Sequence, residues 1–298
     1  MKREKGEYQV GFEPHIYYCA DDFGLTEKSC VRIEECYKKG CLNKISVLSN
    51  APVSDIKQKT DRLFGARLCI HLNFVEGHCV GQKEKLSLLT DKDGYFKCSF
   101  VGLLKLSIFK RKEFIRQIKH EMAAQIEKMR SVFGQDAPVF LDSHQHTHMI
   151  PAAFSALCEV LDEQGTAADY IRIPCEPTTP FLKTPSLYLR YLSKNLIKQM
   201  LLNFFGRINR KKFKKTGAKT AAFFGIMFSG NMEQRTLEKL LPKYVDYAQK
   251  RGCDIEVLFH PGFVETDEQN EIPGNIKFKG FYLSVGRKNE YRAVISLK

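Results

Sequence analysis

Three histidines on alternate positions, His144, His146 and His148, follow an Asp-Ser pair in the stretch FLDSHQHTHMIP, residues 140–151. The chain has eight histidines in 298 residues, so this grouping is a chemical signal. Either the three imidazoles form one metal cage, or only one of them is a ligand. An extended segment would set all three on one face, whereas a turn would send them apart. Ionisable residues also close other apolar runs. Asp21-Asp22 follows HIYYCA, His71 lies in RLCIHLNF, Arg172 and Glu176 lie in YIRIPCEP, and His260 precedes Pro-Gly after DIEVLF. Taken singly, an Asp after a strand is a turn or cap residue, and a lone apolar-flanked histidine is a satisfied core residue. Taken together they suit one chemistry. A carboxylate with two imidazoles holds a divalent cation that keeps positions open for water. A second carboxylate can then take a proton from that water, and a histidine across the pocket can protonate a leaving group. That kit hydrolyses an amide or an ester. His15, His78 and His120 fall at a strand start, in a loop and inside a helix, and carry no assigned role.

Such residues need a scaffold that brings distant segments together. Seven short apolar runs recur, at 15–20, 45–50, 66–74, 138–144, 170–174, 221–228 and 254–260. Between several of them lie helical patterns. TEKSCVRIEECYKKG opens on a Thr-x-x-Ser cap and ends on Gly40, a residue suited to closing a helix. KEFIRQIKHEMAAQIEKMRSVFG, AAFSALCEVLDEQG and MEQRTLEKLLPKYVDYAQKRG also read as helices closed by glycine. Strands alternating with helices of this length imply parallel βαβ units. The fold class expected is α/β, a (β/α) barrel of about seven strands that need not be complete, spanning 1–298 as one domain. A doubly wound sheet stays open, because no dinucleotide or Walker glycine motif decides the matter. In a barrel, the C-terminal strand ends meet on one face, which is where these ionisable residues stand.

Composition narrows the class. No run approaches the roughly 20 apolar residues of a membrane span, and MKREKGEYQVGFEPH lacks the apolar centre of a secretion signal, so the cytoplasm is expected. Ten scattered cysteines without a CxxC pair read as reduced core thiols. The net charge of +13 is uneven: residues 177–232 hold eleven Lys/Arg and no Asp or Glu. Its stretch SLYLRYLSKNLIKQMLLNFFGRINRKKFKK joins an apolar periodic segment to a basic run. Two readings stand: a barrel helix followed by a solvated basic loop, or a basic insertion or flap at about 180–220 that meets an anionic membrane surface through 190–219. Nucleic acid is a weak partner here, since aromatic and basic residues are not interleaved.

The motifs ADDFGL (20–25), IHLNF (70–74), LDSHQHTHMIP (141–151), IRIPCEP (171–177), FFGIMFSGNM (223–232) and FHPGF (259–263) resemble, in order and spacing, the YdjC-like carbohydrate deacetylases of the ChbG/HpnK type. The resemblance runs from about residue 15 to the end. It implies a barrel related to polysaccharide deacetylases, a homodimer, and metal-dependent removal of acetyl groups from N-acetylated sugars, free or lipid-linked. It also implies Asp22, His71 and His144 as ligands of one magnesium or zinc ion, Asp21 as general base and His260 as general acid. Arg172 and Glu176 would line or orient the pocket. With His144 as the ligand of the cluster, His146 and His148 are expected to shape the pocket, contact substrate or support the ligands from behind. Cys175 stands where that family often has a basic residue. Two other readings are kept in view: a metal-dependent phosphoesterase, which would need more ligands and commonly a second metal, and a decayed barrel that only binds lipid or nucleic acid.

Overall fold

The structure is a computed structural model and describes residues 12–190, 193–272, 276 and 279–297. Chain order begins β1 (Ile16–Phe23), α1 (Glu27–Lys39), β2 (Lys44–Leu48), α2 (Ile56–Asp61), β3 (Arg67–Leu72), α3 (Phe100–Phe109) and α4 (Arg111–Phe133). It continues with β4 (Phe140–Ser143), α5 (Pro151–Glu163), β5 (Tyr170–Ile171), α6 (Thr179–Leu182) and α7 (Ser193–Thr216). The last elements are β6 (Ala222–Phe224), α8 (Gln234–Gln249), β7 (Ile255–Phe259), α9 (Lys279–Tyr282) and α10 (Val285–Ser296). All seven strands pair in parallel in the order β5-β4-β3-β2-β1-β7-β6.

The sheet curls into a seven-stranded half-barrel with helices around it. Its edge strands approach at a seam where Tyr170 and Lys219 form one parallel bridge and Ile171 N–H donates to Lys219 C=O at 3.0 Å. The interior is polar. Lys44 from β2 reaches Glu256 of β7 at 3.1 Å and lies over the Tyr170 ring of β5, while the Tyr170 hydroxyl donates to Glu256. Side chains from β2, β5 and β7 can converge in this way only across a curled sheet.

Local sequence explains several boundaries. Thr26 and Ser29 form a reciprocal capping box that starts α1. Gly40 ends it differently from expectation: its φ of −114° is extended, not left-handed. Its role is close approach, since a Cβ there would lie 2.5 Å from the Val294 carbonyl oxygen of α10. The run at 170–174 yields a strand of only two residues: Ile173 N–H donates to the Thr220 hydroxyl, and Pro174 has no N–H to give. The segment read as a loop or flap at about 180–220 is largely one helix, α7, whose basic run Arg207–Lys215 continues the same coil; residues 191 and 192 of that stretch lie outside the described residues.

Candidate active site

Asp21 and Asp22 would face opposite sides of a regular strand. The β1–β2 register shifts between Ala20 and Phe23, so three residues of β1 step against two of β2. Within this bulge Asp22 takes a φ of 68°, an unusual conformation for a residue with a Cβ. Gly24 then turns the chain with φ 101°, at a place where a Cβ would meet Ala51 at 2.7 Å. Both carboxylates thus stay at the strand mouth.

His71, on β3, and His144, just after β4, join Asp22. Asp22 Oδ1 lies 2.9 Å from His144 Nδ1 and 3.6 Å from His71 Nε2. One ligand atom from each of the three residues falls within 4.8 Å of the others, and all three are buried. Behind His71 stands Asp142, whose Oδ1 is 2.6 Å from Nδ1. A carboxylate accepts, so Nδ1–H donates and Nε2 is presented to Asp22 and His144; Nε2 has no hydrogen-bond partner. A buried, unpartnered imidazole nitrogen backed by a carboxylate is the arrangement expected of a metal ligand. Burial lowers the basicity of His71, but Asp142 and Asp21 outweigh it and hold the ring at about 10. For His144, burial is likewise outweighed, by Asp22 and Glu76, and the ring is held at about 9. The negative field that draws protons to these rings would equally draw a divalent cation. Asp22 itself is pushed up by burial, but His144, His71 and Arg287 carry it well below the usual carboxylate range.

Two further groups of potential ligands, Asp21–His71–Asp142 and Cys19–Asp142–Glu256, overlap beneath this site. There a cation is already supplied. The fully buried Arg172 guanidinium forks onto Asp21 at 2.7 and 2.9 Å and also meets Asp142 at 2.8 Å and Glu256 at 2.7 Å. Burial raises Asp21, but Arg172 and His71 bring it below its ordinary value, so it is ionised at neutral pH. Arg172 therefore orients the pocket from below and does not line it.

The Gln145 and His146 backbones both have positive φ, 53° and 59°. The chain turns, and the three histidines part. His146, lowered by burial and by Lys198 and Arg172, stands edge-on to Phe223 and lines the cleft. His148 instead faces the interior: Nε2–H donates to the Arg172 carbonyl at 2.8 Å, and Nδ1 accepts from Ser143 Oγ–H at 2.6 Å. Burial pushes it down to about 4, so it is neutral and helps to place Arg172. Glu176 was expected at the pocket and is also an interior residue. Its carboxyl accepts from the backbone N–H groups of Gly225, Ile226 and Met227, which fixes the turn after β6. Neither His148 nor Glu176 lines the cleft: the Arg172 carbonyl and the Ser143 hydroxyl take the two nitrogens of His148, and backbone N–H groups take the carboxyl of Glu176.

The cleft has a volume of about 460 Å³ and is lined by Asp21, His144, His146 and His260, with Lys198 entering from α7. His260 Nδ1 is 3.6 Å from Glu290 of α10, which also accepts from the His260 N–H, and Phe281 covers one edge of the ring. Burial lowers Lys198 to about 8 against the pull of Asp21 and Asp22. A larger cavity, about 700 Å³, lies on the other side of Tyr282 and carries Asn50, Asn73 and Lys128 in its wall. Only its Glu76 and Tyr282 touch the histidine–aspartate centre, so the smaller cleft is the one that holds the ionisable set.

Several supporting residues were not among those expected from the sequence. Arg287 donates to Asp22 Oδ2 at 3.0 Å and to the His260 carbonyl at 2.9 Å, tying the two halves of the site. Glu76 comes within 3.3 Å of His144 Nε2 and accepts from the Tyr282 hydroxyl at 2.8 Å. On α4, Gln117, Glu121 and Gln125 form a buried polar row that bonds the backbone of Leu88, Val80, Gly81 and Asn73 and so pins the long β3–α3 connection. Their i, i+4, i+8 spacing was the available signal.

The family model described as YdjC-like protein matches residues 15–298. The chain belongs to the YdjC-like family. Among curated relatives, a carbohydrate deacetylase of Danio rerio is 30% identical, covering 84% of this chain and 82% of that one. One from Mus musculus is 25% identical over 82% and 76%. A chitooligosaccharide deacetylase of Salmonella newport is 30% identical over 50% of this chain and 56% of its own. Among solved structures, one described as a cellobiose-phosphate cleavage protein from Enterococcus faecalis V583 aligns with a TM-score of 0.65 at 18% identity, covering 95% and 91%. At that identity the match speaks for the fold alone.

Proposed function

We propose that this YdjC-like chain is a metal-dependent deacetylase of N-acetylated saccharides, working in the cleft between Asp21 and His260. The observation that carries the reading is the Asp22–His71–His144 group, with the unpartnered His71 Nε2 backed by Asp142. The names of the relatives supply the substrate class. When bound, the cation would lower the pKa of water and polarise the amide carbonyl. Two imidazoles and one carboxylate suit zinc, a borderline-soft ion, better than magnesium with its all-oxygen preference.

The remaining steps belong to side chains. Asp21, ionised and clamped by Arg172, accepts a proton from the attacking water. Arg287 and Glu290 fix the Asp22 carboxylate and the His260 backbone, so the two sides of the cleft keep their separation. His260 gives a proton to the departing sugar nitrogen, with Glu290 beside its Nδ1. His146 and Lys198 contact the saccharide from the wall.

Two substitutions separate these roles. His144→Ala should lose bound metal and acetate release together. His260→Ala should keep the metal and slow turnover by about 10²- to 10⁴-fold. Unimpaired acetate release by His260→Ala would remove the acid assignment, and full metal binding by His144→Ala would remove the donor set.

A further inference from the structure

Two helices form lips of the cleft, and both are unusual on their outer faces. Phe100 of α3 and Ile197 and Leu201 of α7 line the cleft, and both helices pack on the 144–149 turn. Along α7 the exposed apolar residues Leu196, Ile197, Met200, Phe204 and Ile208 fall within one-third of the helix circumference. Ile197 is 67% exposed, Met200 64% and Phe204 55%. On the same side, the following turns carry exposed Arg207, Lys211, Lys214 and Lys215. The outer face of α3 repeats the pattern with Val101 and Ile108, the latter 63% exposed, next to Phe109 at 81%. The exposed Lys110, Arg111 and Lys112 follow it directly. Residues 94–112 contain five Lys/Arg and no carboxylate, like the acid-free span 177–232. Among the described residues no helix is long and apolar enough to cross a membrane.

We propose that the outer faces of α3 and α7 dock this protein on an anionic lipid bilayer. The apolar side chains would enter the headgroup–acyl boundary, and the Lys/Arg clusters would pair with lipid phosphates. Charge argues for this occupant over a second copy of the chain, since a like-with-like contact would press the exposed Lys/Arg clusters of two copies together. Docked in this way, the protein holds the cleft mouth against the headgroups, where a lipid-linked saccharide is within reach. That last step rests on the deacetylase reading, whereas the docking itself does not.

The test is sedimentation of the purified protein with phosphatidylcholine vesicles, with or without phosphatidylglycerol. The protein should follow the anionic vesicles only, and added salt should release it. The double variant Met200→Ser/Phe204→Ser and the triple variant Lys211→Gln/Lys214→Gln/Lys215→Gln alter exposed side chains outside the cleft. Each should retain its circular dichroism melt and its acetate release from a soluble chitooligosaccharide. Each should also lower vesicle partitioning by about tenfold or more. Failure of the parent protein to bind anionic vesicles would overturn the proposal, as would undiminished binding by both variants. So would a concentration-dependent dimer that Met200→Ser/Phe204→Ser abolishes without any vesicle binding. Loss of acetate release in every protein, with vesicle binding intact, would instead sink the deacetylase reading and leave docking standing.

Discussion

Replacing Asp142 by asparagine removes one charge and leaves the shape of the site in place. In the native chain its two oxygens hold His71 Nδ1 at 2.6 Å, Ser46 Oγ at 2.6 Å and Arg172 at 2.8 Å. The fully buried network comprises Arg172 and Lys44 against Asp21, Asp142 and Glu256. Once a metal displaces the proton that His71 otherwise holds, two positive charges face three negative ones; the substitution leaves two against two. Arg172 keeps Asp21 and Glu256 as partners, so the cost in stability should fall below the roughly 3–5 kcal/mol of a fully broken buried pair. Metal binding should suffer more specifically. An amide accepts more weakly than a carboxylate, and it can turn its NH₂ toward Nδ1 and favour the wrong tautomer of His71. The expected loss of zinc affinity is about 10- to 100-fold, or roughly 1.4–2.8 kcal/mol. Competition against a chromophoric zinc chelator measures it, with a urea titration to confirm the fold. Affinity within about twofold of the parent in a folded Asp142→Asn protein would refute the reasoning that this carboxylate sets up His71 as a ligand.

Three more expectations follow from the same geometry. Burial holds the Glu176 carboxyl up at about 7 against its ordinary 4.5, so its contribution to stability is greatest below the lower value and is lost as pH rises through 7. Urea titrations across that range should show Glu176→Gln flattening the decline by up to about 3 kcal/mol, and a parent-like slope in the variant would contradict this. Arg172→Lys cannot fork onto Asp21 while meeting Asp142 and Glu256, so it should destabilise the protein by about 2–4 kcal/mol in the same assay. Arg287→Met removes the tie between Asp22 and the His260 carbonyl; acetate release should fall at least about tenfold even at saturating metal, and unchanged kinetics would argue that Arg287 is only a packing residue.

The ionisable strand ends were legible because the barrel collects them: an apolar run followed by Asp, His or Asp-Ser-His announces both the strand and its mouth. The turn that separates His144, His146 and His148 was not legible, since alternation suits a strand equally well and the left-handed residues Gln145 and His146 carry no glycine to mark them. His148 and Glu176 illustrate a second limit. A polar residue in a motif reads the same whether it faces a ligand or caps backbone groups, and only the fold shows Glu176 holding three N–H donors. Partners far apart in sequence were harder still. Arg287 meets Asp22 across 265 positions, and nothing local in SVGRKNEYR points to it. The basic segment 177–232 revealed its charge and an apolar periodicity in the sequence, but not that one helix carries both through Thr216 with those apolar residues exposed.

The proposed chemistry requires a cation held by Asp22, His71 and His144 for acetate release. The direct measurement is acetate release from an N-acetylglucosamine oligosaccharide by the purified protein, before and after chelation and again after zinc is restored. Chelation should abolish release and zinc should restore it, with Asp22→Ala inactive throughout. Acetate release that persists undiminished in chelator, or activity retained by Asp22→Ala, would contradict that chemistry.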